Sequence, residues 1–218
     1  MTVKLSDLDL AALLCSRVCH DVISPVGAVA NGLEVLDEED DEEMRKMALD
    51  LVRRSAKQAS AKLQFCRIAF GAAGQAGAML DLGEAGEIAK LFVGEEKIKL
   101  DWQAPRGPRD KTEAKLLLNM MLMAMAAIPR GGVVTIKADD TTMSAVAEGE
   151  GARIPEKTAA ALAGTAAVTD FDARLVQVYY AMRLAEQSGS LLTMGSDGNR
   201  VSVAAQKQIA ADAVAATA

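Results

Sequence analysis

Histidine is nearly absent from this chain: 218 residues carry a single one, His20. One imidazole excludes metal centres built from several histidines. Cysteine is scarce and odd in number, with Cys15, Cys19 and Cys66, so a complete set of internal disulfides is impossible. Cys15 and Cys19 stand four apart, but with one histidine and no second cysteine pair a metal ligand set is short, and no metal is expected. All three read as buried helix thiols in a reducing compartment. Aromatic residues make up 3% of the chain, against 50% hydrophobic residues overall. A core drawn from Ala, Leu, Val and Met favours helices packed on helices or on a sheet. Basic residues are in deficit, 24 against 30 acidic ones, for a net charge of −6. An acidic surface repels nucleic-acid phosphates and anionic lipid, so neither nucleic acid nor membrane is expected as a partner. No leader pattern is visible, and no apolar run approaches the ~20 residues of a membrane span. The expectation is a soluble cytoplasmic protein.

What is present is helical periodicity. Leu10, Leu14, Val18, Val22, Val29, Leu33 and Leu36 recur at helix spacing across residues 7–36, after Ser6 and Asp7 as candidate caps. Pro25 falls inside the pattern and is expected to bend the helix. An acidic run at 37–43 reads as a solvated turn. A second helix follows over 41–70, with Met44, Met47, Leu51, Ser55, Ala59, Leu63, Cys66 and Phe70 on one stripe. Two long helices joined by a short turn make an antiparallel hairpin. A hairpin alone leaves an apolar face open, and pairing two copies into a four-helix bundle closes it, so a homodimer is expected.

Small residues at 71–78 mark a linker. The chain divides into a helical hairpin at 1–72, a linker at 73–79 and a second domain at 80–218. In the second domain the patterns predict helices at 83–93, 111–128, 155–163 and 171–188. Strands are predicted at 97–102, 132–138, 142–148, 190–194 and 200–205. The fold class is α+β: a helical hairpin, then an α/β sandwich with helices on one face of a sheet. The Ala-rich tail from 208 is expected to fray.

His20 lies between the apolar positions of the first helix, on a face with Ser16, Ser24, Gly27 and Asn31. An imidazole on such a small, polar face is reachable by a partner protein and is nucleophilic near neutral pH. Asp21 is placed to orient the ring. Arg17, one turn earlier, and Lys57, on the antiparallel second helix, are candidates to lie near phosphoryl oxygens. Ile23 reads equally as a bundle-packing residue or a partner contact.

The segment His20-Asp21-Val22-Ile23-Ser24-Pro25 resembles the phosphorylated-histidine box of sensor histidine kinases, with an acid after His and Pro five residues on. The second domain resembles their ATP-binding domain in decayed form. Asn119 matches the first Asn of the magnesium-holding box, but the second position is Met123, and a thioether cannot replace a hard oxygen ligand. Val146-Ala147-Glu148-Gly149-Glu150-Gly151 resembles the adenine-binding box, with Ala147 in place of its Asp. The stretch opening at Phe171 stands where kinases have a glycine-rich phosphate turn, and lacks the glycines that let backbone amides approach phosphate.

A kept scaffold with lost nucleotide contacts resembles the ChpT family of histidine phosphotransferases, over nearly the whole chain from about residue 8 to 203. That resemblance implies a phosphorelay in which His20 takes a phosphoryl group from a receiver-domain aspartate and passes it to response-regulator aspartates. The implied donor is the receiver of a hybrid kinase (CckA-like), and the implied acceptors are CtrA-like and CpdR-like regulators of the cell cycle. No cofactor is implied: magnesium comes with the receiver, and ATP is not expected to bind. The docking surface would combine Arg17, Ile23, Ser24, Gly27 and Asn31 with parts of the second helix or second domain. Two rival readings stay open, an ATP-dependent histidine kinase with an unusual pocket and a non-catalytic dimeric adaptor.

Overall fold

A computed structural model describes residues 4–71, 78–94 and 97–208. The linker assigned to 73–79 lies outside them apart from residues 78 and 79, as does the tail beyond 208. Two long helices open the chain, α1 (Asp7–Glu38) and α2 (Glu42–Ala69). Ser6 caps α1, its hydroxyl accepting from the Asp9 N–H at 3.1 Å. Asp41 caps α2, accepting from the Glu43 and Met44 amides at 3.0 and 2.9 Å. The acidic turn is closed by Arg45, which donates to the carbonyls of Leu36 and Glu39 at the negative end of α1.

The helix continues through Pro25, whose ring is buried. Gly32 sets the closest approach of the two helices: a Cβ there would lie 2.7 Å from Val52 Cγ2 and 3.3 Å from the Ala48 carbonyl. By length and composition α1 is apolar enough to cross a membrane, more so than the run-by-run reading allowed. Its apolar residues divide between a stripe against α2 and a second stripe left exposed.

The second domain is a five-stranded sheet in the order β2-β4-β5-β7-β6. Its strands are β2 (Ile98–Trp102), β4 (Gly132–Ala138), β5 (Thr142–Glu148), β6 (Ser190–Asp197) and β7 (Arg200–Lys207). β2 and β4 are parallel and the other neighbours antiparallel. Alternation decides which face is covered. Val134, Ile136, Met143, Ala145, Ala147, Val201, Val203 and Ala205 are all buried on one side. That side packs under α3 (Leu82–Val93), α4 (Lys111–Ala127) and α6 (Val176–Gln187), with short α5 (Glu156–Leu162) beside α6. The α+β class and the one-faced sandwich are therefore as the sequence predicts.

Two local features differ. Strands β1 (Met79–Asp81) and β3 (Pro108–Asp110) pair antiparallel at the base of the domain, each too short to show a period. Helix α6 begins at Val176, not 171. The Asp172 carboxylate accepts from the Arg174 and Leu175 amides, both at 2.8 Å, and holds that stretch as a turn. Those same bonds hold the Asp172 carboxyl below its ordinary range.

The hairpin is not hung on a free tether. Leu5, Phe65, Ile68 and Ala69 share one core with α4 and α6. Phe65 stacks on Phe92 of α3 with centroids 4.0 Å apart. The last carbonyls of α2 have no helical partners, and α4 supplies donors. Asn119 Nδ2 donates to the Ala69 carbonyl at 3.2 Å and to Lys115 O at 2.8 Å. Lys115 Nζ donates to the Gly71 carbonyl. Burial and neighbouring Lys111 hold the Lys115 ammonium below its ordinary pKa.

Two glycines of α1 are predicted to behave oppositely. Gly32→Leu overpacks the hairpin and should cost roughly 1–3 kcal/mol. Gly27, whose Cβ would meet nothing within 4 Å, should gain about 0.5–1 kcal/mol as Gly27→Ala from helix propensity. Chemical denaturation midpoints of the two variants check both signs.

Candidate functional site

Helix α1 presents three faces. One packs on α2 through Val18, Pro25, Val29 and Gly32. A second is a seam of exposed Leu8, Ala12, Cys15, Cys19, Val26, Ala30 and Leu33 with half-buried Val22 between them, spaced mostly four and three apart. Met44, Met47 and Leu51 of α2 are likewise exposed. The third face carries His20 with Ser16, Ser24, Gly27 and Asn31, and it borders the second domain. Cys15 and Cys19 are therefore exposed on this chain, contrary to expectation, and only Cys66 is buried. Periodicity identifies an apolar stripe but not what covers it.

The His20 side chain is 57% exposed, whereas Asp21 is only 13% exposed. Asp21 Oδ1 lies 3.4 Å from His20 Nδ1. Asp21 Oδ2 accepts from Arg17 Nε at 2.8 Å, an ion pair one helical turn long. Arg17 is 15% exposed, and its Nη1 donates to Gln177 Oε1 of α6 at 3.2 Å. Arg17 thus points along the helix and toward the second domain, a buttress for Asp21. Ile23 is 70% exposed, a large apolar side chain one turn from His20. Ser24 and Asn31 are exposed and Gly27 half-buried, so no bulky group screens the imidazole on that face.

Lys57 is exposed on α2, but the helix register does not bring it level with His20. Gly32 faces Val52, while Leu14 and Val18 line a cavity with Leu63, Cys66 and Phe70. That register puts Lys62 near the level of His20 and Lys57 near Pro25. The field at Cys66 agrees, because Asp21, Arg17 and Lys62 all act on its thiol. Burial, reinforced by Asp21, pushes that thiol up to about 11. Sequence reasoning missed Lys62 and Gln177. For Gln177 a signal existed, an amide flanked by Val176 and Val178 in an otherwise apolar turn.

The stretches that resemble nucleotide-binding boxes divide between core and surface. Asn119 is fully buried and bonded to the end of α2. Met123 and Ala147 are buried, and Phe171 packs edge-on against Tyr179 at 5.5 Å. Glu148 turns outward to Arg200 at 3.5 Å. Gly149 has a backbone reason to persist: a Cβ there would sit 2.3 Å from the Gly131 carbonyl, where the α4–β4 turn crosses the end of β5.

Comparison with known proteins places this geometry. Residues 82–200 match the family described as histidine phosphotransferase C-terminal domain. The chain is 44% identical over 198 residues to protein phosphotransferase ChpT of Brucella abortus (strain 2308), covering 89% of this chain and 93% of that protein. It is 40% identical to a bacterial phosphotransferase of solved structure, with a TM-score of 0.85, covering 94% of this chain and all of the other.

The buried thiol beneath Asp21 gives a chemical check. With iodoacetamide at mildly alkaline pH, Cys66 should stay unmodified in the native protein and react once the chain is unfolded, because the neutral thiol is a poor nucleophile. Peptide mass spectrometry reads the site. Native labelling of Cys66 at the rate of the unfolded chain would contradict the packing described.

Proposed function

We propose that His20 carries the phosphoryl group in this chain, which belongs to the ChpT-type family of histidine phosphotransferases and works in a two-component phosphorelay. The observation that carries the assignment is one exposed imidazole backed by a carboxylate that is itself held from behind. With Nδ1–H directed to Asp21 Oδ1, the lone pair of His20 resides on Nε2. A receiver domain docks beside the bundle with its phosphoaspartate in line. Nε2 attacks phosphorus, a P–N bond forms, and the P–O bond to the aspartyl carboxylate breaks, its electron pair leaving with that carboxylate. Asp21 stabilises the positive charge that the phosphorylated ring acquires. In the second half the acceptor's carboxylate oxygen attacks phosphorus and the lone pair returns to Nε2. No net proton moves, so this chain supplies position and charge more than covalent help. The receiver brings magnesium.

Docking would use Ile23 as an apolar anchor, with Ser24, Gly27 and Asn31 leaving room beside it. Lys62 lies closer to the level of the transferring group than Lys57. The partners we infer are the receiver of a CckA-like hybrid kinase as donor and CtrA-like and CpdR-like regulators as acceptors, in the cytoplasm. We further infer that the chain makes no phosphohistidine from ATP. Burial of Asn119, Met123 and Ala147 in the core supports that reading, since adenine and magnesium contacts in a kinase must face the nucleotide. The exposed apolar seam of α1, with Met47 and Leu51 of α2, supports pairing of two copies into a four-helix bundle.

Two measurements test this. Purified chain mixed with a radiolabelled phosphoreceiver should acquire acid-labile label, His20→Ala should acquire none, and labelled ATP alone should label neither. Label on His20→Ala, or labelling by ATP, would overturn the respective assignment. Val26→Asp places a charge in the seam and should turn a dimer into a monomer by light scattering. A wild-type monomer would refute the bundle.

A further inference from the structure

We infer that Gln177, on the kinase-like domain, is a positioning residue for phosphotransfer at His20. The inference rests on the assignment of His20 as carrier and goes beyond it. The side chain sits on α6, is buried, and uses both ends of its amide. Oε1 accepts from Arg17 Nη1 at 3.2 Å, and Nε2 donates to the Asn119 carbonyl at 3.3 Å. Burying an amide is unfavourable unless both ends are bonded, and here one bond crosses from the second domain to the first helix.

The bond is one link in a continuous chain. His20 Nδ1 meets Asp21 Oδ1, Asp21 Oδ2 accepts from Arg17, Arg17 donates to Gln177, and Gln177 donates to Asn119. Asn119 in turn donates to the Ala69 carbonyl at the end of α2. Its own Oδ1 is buried and unpartnered, so the amide is oriented by its two donations. Four helices are closed into a loop, and the only member of that chain standing mostly in solvent is His20.

The consequence is chemical. An exposed Arg17 would sample many rotamers and hold Asp21 only part of the time. Tied to Gln177, its guanidinium is fixed, Asp21 is fixed in turn, and the ring keeps its lone pair on Nε2. The kinase-like domain would then serve the reaction through α6, by geometry and not by nucleotide.

The test uses the full-length chain and a phosphorylated receiver domain, following transfer at varied receiver concentration. Gln177→Leu should slow transfer at saturating receiver about tenfold, with the half-saturating concentration unchanged. Gln177→Glu keeps the acceptor for Arg17 but loses the donor to the Asn119 carbonyl, and should recover part of the loss seen in Gln177→Leu. In an Asp21→Asn background, Gln177→Leu should add no further loss, because the relay is already cut. Gln177→Met, of similar length, replaces Leu should that variant fail to fold. The single histidine gives a spectroscopic readout as well: its ring 15N resonances should shift toward mixed tautomers in Gln177→Leu. A wild-type rate for Gln177→Leu, an effect confined to half-saturation, or a loss that persists undiminished in Asp21→Asn would overturn the inference. His20→Ala, run alongside, separates the two assignments: transfer surviving in it means the carrier is wrong, whereas silence there with wild-type Gln177→Leu means only the positioning role is wrong.

Discussion

The carbonyls left open at the end of α2 constrain everything above them. They must find donors once buried, and Asn119 and Lys115 of α4 provide them from inside the second domain. Combined with the stacked Phe65–Phe92 pair, that junction fixes the hairpin's angle against α4 and α6. Angle is what decides whether Arg17 reaches Gln177 or hangs in water. The site on α1 is thus set by packing at the far end of its partner helix, and the two parts of the chain share one core.

Asn119 has a structural role that needs no ligand. In the kinase resemblance it would hold magnesium. Here it is buried and bonds two carbonyls, which a hydrophobic replacement would leave unsatisfied. The glycines at 149 and 151 follow the same logic, since the first is required by a backbone crossing and the second takes φ +69° in the turn beyond it. These residues therefore have reasons of fold to be present, and their presence alone says little about ligand.

Much of this was legible in the sequence. Long runs of helical period wrote out the hairpin and α4, and alternation wrote out β4, β5 and β7. The polar face around His20 could be read from the residues between the apolar positions. What could not be read depended on distance in the chain. Lys57 was placed too near His20 because register follows from the Gly32 contact, which no local pattern reports. Arg17 was read as a candidate beside the phosphoryl oxygens because its partner Gln177, on another element, shows in no local pattern. Cys15 and Cys19 were read as buried because a periodic stripe does not say whether the same chain or a second copy covers it. The start of α6 was misread because one carboxylate, Asp172, outcompeted the helix for two amides.

The central claim is that the exposed imidazole, not a carboxylate or thiol, takes the phosphoryl group. Phosphorus NMR of the chain after exposure to a charged receiver, at mildly alkaline pH, tests it most directly. The account predicts a phosphoramidate resonance that correlates with a single histidine ring through its Nε2. An acyl-phosphate or thiophosphate resonance, or none from a chain that still relays phosphate, would contradict it.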